Sequence, residues 1–204
     1  MEHRIGTWLT DSEWATLRVV MDVLVPNDGI SPGAGEAGAA DYVDLLLSAF
    51  DFDPPRLFAG GPFSGRHGGE AGFDHWLEMG ALDELGWRIR IEGSLGLAER
   101  EFNGPVIGWQ QVYREGLATL GDDFGECAVD EQRRRLDAEP AFARLAFEHA
   151  CESLYGDPVY GGNRDGAGWA AIGHDGDTQP RGWTDAEVSA PAPVPVAVPR
   201  GDHT

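Results

Sequence analysis

The chain has 204 residues, 42% hydrophobic and 10% aromatic, with 15 basic against 35 acidic side chains and a formal charge of −20. That is enough apolar material for one domain with a sizeable core. The charge argues against nucleic acid, whose phosphates need a basic surface, and disfavours anionic membranes.

The acidity reads first as a solvated surface and, as the alternative, as an acidic docking patch. No stretch approaches the roughly 18 apolar residues of a membrane span. The start, MEHRIGTWLTDSEW, shows no apolar export segment and no twin arginine. The expected location is therefore the cytoplasm, or export only with a partner that carries the signal. Cys127 and Cys151 are the only cysteines, and neither CxxCH nor CxxC occurs. Two buried thiols are expected, with a single disulfide as the alternative.

In chain order, Thr10-Asp11-Ser12-Glu13 predicts a capping box. Trp14, Leu17, Val20, Met21 and Leu24 follow at helical spacing, and Pro26 ends that helix. A second, well-buried helix is predicted over residues 36–50, with Tyr42, Val43, Leu46 and Phe50 on one face. Residues 51–72 hold Pro54, Pro55, Pro62 and many glycines, so they predict a long functional or disordered connection. A helix over about 74–91 follows, with a break near Gly86. Another starts with Pro105 in its first turn and carries Ile107, Trp109, Val112, Tyr113, Leu117 and Leu120. Asp130 can cap a short basic helix through Leu136. Pro140 opens a last helix, apolar on both sides, that runs to Tyr155 and places it deep in the core or under a partner.

After Tyr155 the helical pattern stops. YGDPVYGGNRDGAGWAAIG, residues 155–173, is glycine-rich, and the proline-rich residues 181–204 are expected to form a flexible tail. No repeat and no period-2 strand run is visible. The predicted fold is all-α: one helical domain of about six helices over residues 1–180, with two long ordered loops.

The glycine-rich stretch raises the question of a cofactor. Gly166-Ala167-Gly168-Trp169-Ala170-Ala171 matches the G-x-G-x-x-G/A dinucleotide pattern. That pattern needs a strand before it and a helix after it, and neither is expected here. Asn163, Asp165, Asp175 and Asp177 offer oxygens to calcium, but Ile172 stands near the place of the closing carboxylate. The histidines make no HExxH; His149 reads as a core histidine, and His67, His75 and His174 as solvated. No GxSxG elbow or flanked cysteine nucleophile occurs. No catalytic, cofactor or metal residue is assigned.

Two blocks do carry a specific pattern. The first is Val23-Leu24-Val25-Pro26-Asn27-Asp28, then Ser31-Pro32-Gly33-Ala34, Glu36-Ala37-Gly38 and Asp41-Tyr42-Val43-Asp44. The second is Phe147 to Tyr155, then Asp157-Pro158-Val159-Tyr160-Gly161-Gly162-Asn163, Gly168-Trp169 and Ile172-Gly173. Together they resemble the gluconate 2-dehydrogenase subunit 3 family over residues 8–175, and the Trp109-to-Leu120 helix looks like that family's middle helix. The resemblance implies a non-catalytic small subunit. Its partner would be a large FAD-containing dehydrogenase of the glucose-methanol-choline type, helped to fold, take up flavin or be exported. A cytochrome c subunit is a further implied partner, and the flavin is expected on the large subunit. The chain departs from the family's pattern in its missing twin-arginine signal, its long 51–72 segment and its proline tail.

Ordering two long loops costs about 1–2 kcal/mol per residue, which a partner surface can offset. Tyr155, Tyr160 and Trp169 would supply rigid aromatic contacts, and Arg164 a forked bond to a carboxylate. With Asp157 and Asn163 they form the expected docking set. The competing readings are aromatics packed on the last helix and an ordinary surface arginine. Two other functions stay open: a free-standing enzyme with a metal or nucleotide site at 155–176, and a generic helical interaction domain.

Overall fold

The computed structural model describes residues 6–59 and 76–174. Seven α-helices lie among them: α1 (Asp11–Leu24), α2 (Ala39–Leu47), α3 (Ala81–Ile91), α4 (Trp109–Leu120), α5 (Val129–Ala138), α6 (Pro140–Tyr155) and α7 (Ala167–Ala171). The described residues hold no sheet, only two isolated antiparallel bridges, Ala59 with Trp76 and Gly93 with Ile107. The fold is all-α. The 181–204 tail and residues 60–72 lie outside the described residues, as do His67 and His75.

Helices α1, α2 and α6 pack on one another, α4 and α5 close on α1 and α6, and α3 meets α4. Leu17, Val20 and Met21 of α1, Val43 and Leu47 of α2, Tyr113 and Leu120 of α4, and Phe142 and Ala146 of α6 fill the core. The capping box forms as predicted. The Glu13 amide donates to Thr10 Oγ1 at 3.2 Å, and the Thr10 amide donates to Glu13 Oε2 at 2.8 Å. Pro140 occupies the first turn of α6, where its missing N–H leaves no bond unmade.

Other boundaries differ for identifiable reasons. α2 starts at Ala39, because Gly38 takes a left-handed conformation (φ 97°) after a run of turns. It gives way at Ser48 to a 3-10 turn over Ala49–Asp51. α3 starts only at Ala81 and runs through Gly86 without a break. Pro105 is not in α4, which begins after Gly108. The Ser94 amide donates to the Val106 carbonyl, and the Val106 amide donates back to Ser94 Oγ at 2.7 Å, which holds this segment extended. Ala128 holds the N-cap position of α5, with no side-chain cap, and Asp130 lies inside its first turn. Helical structure also continues past Tyr155, as 3-10 turns at Pro158–Tyr160 and Arg164–Gly166 and then as α7.

Within the core, Tyr113 is hydrogen-bonded to His149 Nδ1 at 2.8 Å, and Trp109 meets the imidazole edge-on at 4.7 Å between centroids. Burial pushes His149 down to about 4, so it stays neutral in the fold. It is a core histidine.

Candidate functional site

The two sequence blocks meet. Arg164 donates its backbone N–H to the Ala37 carbonyl at 2.9 Å. Its guanidinium reaches Asp41 Oδ2 at 3.1 Å and the Glu36 carbonyl at 3.4 Å. Asp41 also accepts from Trp14 Nε1 at 2.9 Å, so one carboxylate joins α1, α2 and the 164 turn. The next residue of α2, Tyr42, donates its hydroxyl to Glu152 Oε2 of α6 at 3.0 Å. Burial, and then the Glu152 charge, push the Tyr42 phenol well above its ordinary value, so it remains a donor. The result is a seam between residues 33–44 and 152–169.

The glycines of the second block let backbone lie on backbone. A Cβ on Gly162 would fall 2.5 Å from the Ser153 carbonyl oxygen, and one on Gly168 would fall 1.9 Å from that of Leu154. Both contacts are with the last turns of α6, so the loop is laid directly on the helix end. Among the described residues no strand precedes the nucleotide pattern at 166–171. A helix does form there, contrary to expectation, but α7 lies within the pattern and spans only five residues.

Asn163 locks the turn. It sits in the left-handed region (φ 46°) and is fully buried. Its Nδ2 donates to the Gly156 carbonyl at 2.8 Å, and its Oδ1 accepts from the Gly168 amide at 2.9 Å. The side chain therefore staples Gly156 to Gly168, twelve positions apart, and in this structure it presents nothing to solvent.

The remaining predicted docking residues fall around this staple. Tyr155 is exposed at the end of α6. Its carbonyl accepts from Trp169 Nε1 at 2.7 Å, and Trp169 is half-buried with its ring edge-on to His174. Asp157 caps the 3-10 turn, accepting from the Val159 amide at 2.9 Å. Tyr160 accepts from the Ala59 amide at 3.1 Å and packs edge-on against Trp76. Arg164 is part-exposed but engaged, as above. Sequence reasoning missed the facing half of the seam: Trp14, Glu36, Asp41, Tyr42 and Glu152. Asp41 and Tyr42 belong to the first block, so their shared membership was the available signal.

Beneath the loop lies a pocket of about 250 Å³ lined by Tyr42, Arg56, Trp87, Glu152, Asp157 and Tyr160, among others. The Arg56 guanidinium lies 4.1 Å over the Phe52 ring. Among the described residues no buried side-chain nitrogen or oxygen lacks a hydrogen-bond partner. No three His, Cys, Asp or Glu of those residues are grouped to hold a metal ion. Asp175 and Asp177 lie outside the described residues. Cys127 and Cys151 are free, half-buried thiols. No described helix is long and apolar enough to cross a membrane.

Fold and seam together define a small helical domain whose two sequence blocks serve its own architecture. The family model for Gluconate 2-dehydrogenase subunit 3 matches residues 11–176, and the chain belongs to that family. Its name makes the chain a subunit of an oxidoreductase complex. No curated protein and no solved structure matched the chain.

Proposed function

We propose that the protein is a non-catalytic accessory subunit. It binds a large FAD-dependent dehydrogenase of the glucose-methanol-choline type, acting on a sugar or alcohol, stabilises it and assists its maturation. The family match carries the reading. The seam supports it: the most specific residues of the sequence build a rigid end to α6 rather than a reaction centre. Around that end stand exposed Tyr155 and Ile172 with half-buried Trp169, and exposed Phe147 lies about two turns earlier on α6; these are apolar groups of the kind that anchor protein partners. In this reading Asn163 and Arg164 shape the surface, and Tyr155 and Trp169 touch the partner. Flavin and substrate contacts belong to the large subunit, and a cytochrome c subunit is a further partner for the electrons.

Co-expression tests this. The large subunit is produced with and without this chain, and soluble flavin-bound protein and dye-linked sugar oxidation are measured. The chain's presence is expected to raise both. Equal yields and activities with and without it would sink the reading. Turnover or a flavin spectrum from the purified small chain would favour the enzyme alternative.

A further inference from the structure

The segment between α3 and α4 resembles a deliberately built platform. Its two arms are fastened by the reciprocal Ser94–Val106 bonds, by a Ser94 hydroxyl bond to the Val106 carbonyl at 3.2 Å, and by the Gly93–Ile107 bridge. Arg100 pins it from inside, at 2.7 Å from Glu92 Oε2 and 3.1 Å from the Gly93 carbonyl. What this fastened loop offers to solvent is apolar. Leu95 is 70% exposed, Phe102 92% and Ile107 64%, with Leu97 and Val106 also exposed. These five side chains expose on the order of 500 Å², the size at which an apolar patch marks an interaction site. Leu95 is held at φ 53°, a left-handed conformation uncommon for leucine, and the side chain still points to water. Among the described residues, the hydrophobic core contains none of these five groups.

The charges around the patch select the occupant. Arg100 is the only cation between residues 92 and 108, and it is turned inward onto Glu92. Glu99 is exposed and Glu101 half-buried, which leaves an acidic rim. A second copy would bring the same acidic rim and another −20 of net charge against it. An anionic membrane is repelled likewise. We propose that the 93–107 loop is a principal docking surface for the large subunit, and that the subunit's complementary face is an apolar cleft with a basic rim. This rests on the accessory-subunit reading above and adds the surface and its chemistry.

The test uses the full chain with the large subunit of its complex. The variant Leu95→Asn/Phe102→Ser/Ile107→Thr keeps a residue tolerant of the left-handed region at 95 and a β-branched one at the bridge. Leu82→Ser, at an exposed apolar residue outside the loop, is the control. Circular dichroism and thermal unfolding of the free chains are expected to match wild type. Binding by the triple variant is expected to fall by about 30-fold or more, with the control unchanged. Raising salt from about 50 to about 500 mM should weaken wild-type binding several-fold. Hydrogen exchange of residues 93–107 in the wild-type complex should slow; this readout needs no variant to fold. Wild-type binding that the triple variant retains within about twofold, with no slowed exchange in the loop, overturns the surface assignment and leaves the subunit reading standing. No binding by wild type overturns both. A wild-type dimer that the triple variant dissolves, or binding of wild type to zwitterionic vesicles, overturns the proposed occupant.

Discussion

Asn163→Ala is the sharpest test of the seam. The substitution removes the donor to Gly156 and the acceptor for the Gly168 amide, both within a buried turn. Each buried polar group left unpaired costs about 1–3 kcal/mol, with the half-buried Gly156 at the low end. Alanine in the left-handed region adds about 1 kcal/mol that asparagine largely avoids. The sum, about 3–5 kcal/mol, is a large part of a typical domain's stability of roughly 5–15 kcal/mol. Asn163→Gly keeps the backbone conformation and loses only the bonds, so it should be milder than alanine by about 1 kcal/mol. Asn163→Asp keeps the acceptor but sets a carboxylate oxygen against the Gly156 carbonyl. Its loss should shrink on acidification, when a protonated carboxyl can donate again. Urea unfolding followed by far-UV circular dichroism gives the global numbers, and hydrogen exchange at Arg164 and Gly168 gives the local ones. An alanine variant within about 1 kcal/mol of wild type with unchanged exchange would refute the staple, as would glycine proving worse than alanine.

Other outcomes follow from single contacts. His149 titrates at about 4 in the fold against 6.5 in the unfolded chain, so its stabilising contribution is complete above pH 6.5 and is lost as pH falls toward 4. Wild type should lose about 3 kcal/mol over that window relative to a His149→Gln variant, by chemical unfolding at several pH values. Gly116→Ala would place a Cβ 2.3 Å from the Phe142 ring, and thermal unfolding should show a loss of about 1–3 kcal/mol from forced repacking. Thr10→Ala removes the α1 cap and should cost about 1 kcal/mol in the same assay. Trp169→Phe keeps an aromatic surface but drops the bond to the Tyr155 carbonyl. It should cost about 1 kcal/mol in stability and slow co-purification less than Trp169→Ala does.

What could be read from the residues was whatever local chemistry decides. The Thr10–Glu13 box, the proline that opens α6 and the 3.6-residue spacing of Leu17, Val20 and Met21 act within one or two turns of chain, and they form as expected. The start of α4 was misplaced because Pro105 suits a helix's first turn, while the competing Ser94–Val106 bonds join residues twelve apart. The same long reach hid the seam. Gly162 and Gly168 look like loop residues in sequence, and their need for close approach exists only once Ser153 and Leu154 are beneath them. Asn163 read as a presented polar group. Its burial comes from Gly156 and Gly168 converging on it, which no periodicity encodes.

Arg164 and Asp41 are 123 residues apart, and the seam is built of such pairs. A ribosome adding about 5–20 residues per second makes the first partner wait roughly ten seconds for the second. During that interval the surface of α2 that later receives the 160–168 turn is open, with Asp41 and Tyr42 lacking their final contacts from Arg164 and Glu152. The earlier helices can begin to pack before residues 152–169 emerge, and the seam then closes over them. Loss of the segment after α6 would therefore leave a chain halted at that open stage, helical but unsealed along α2.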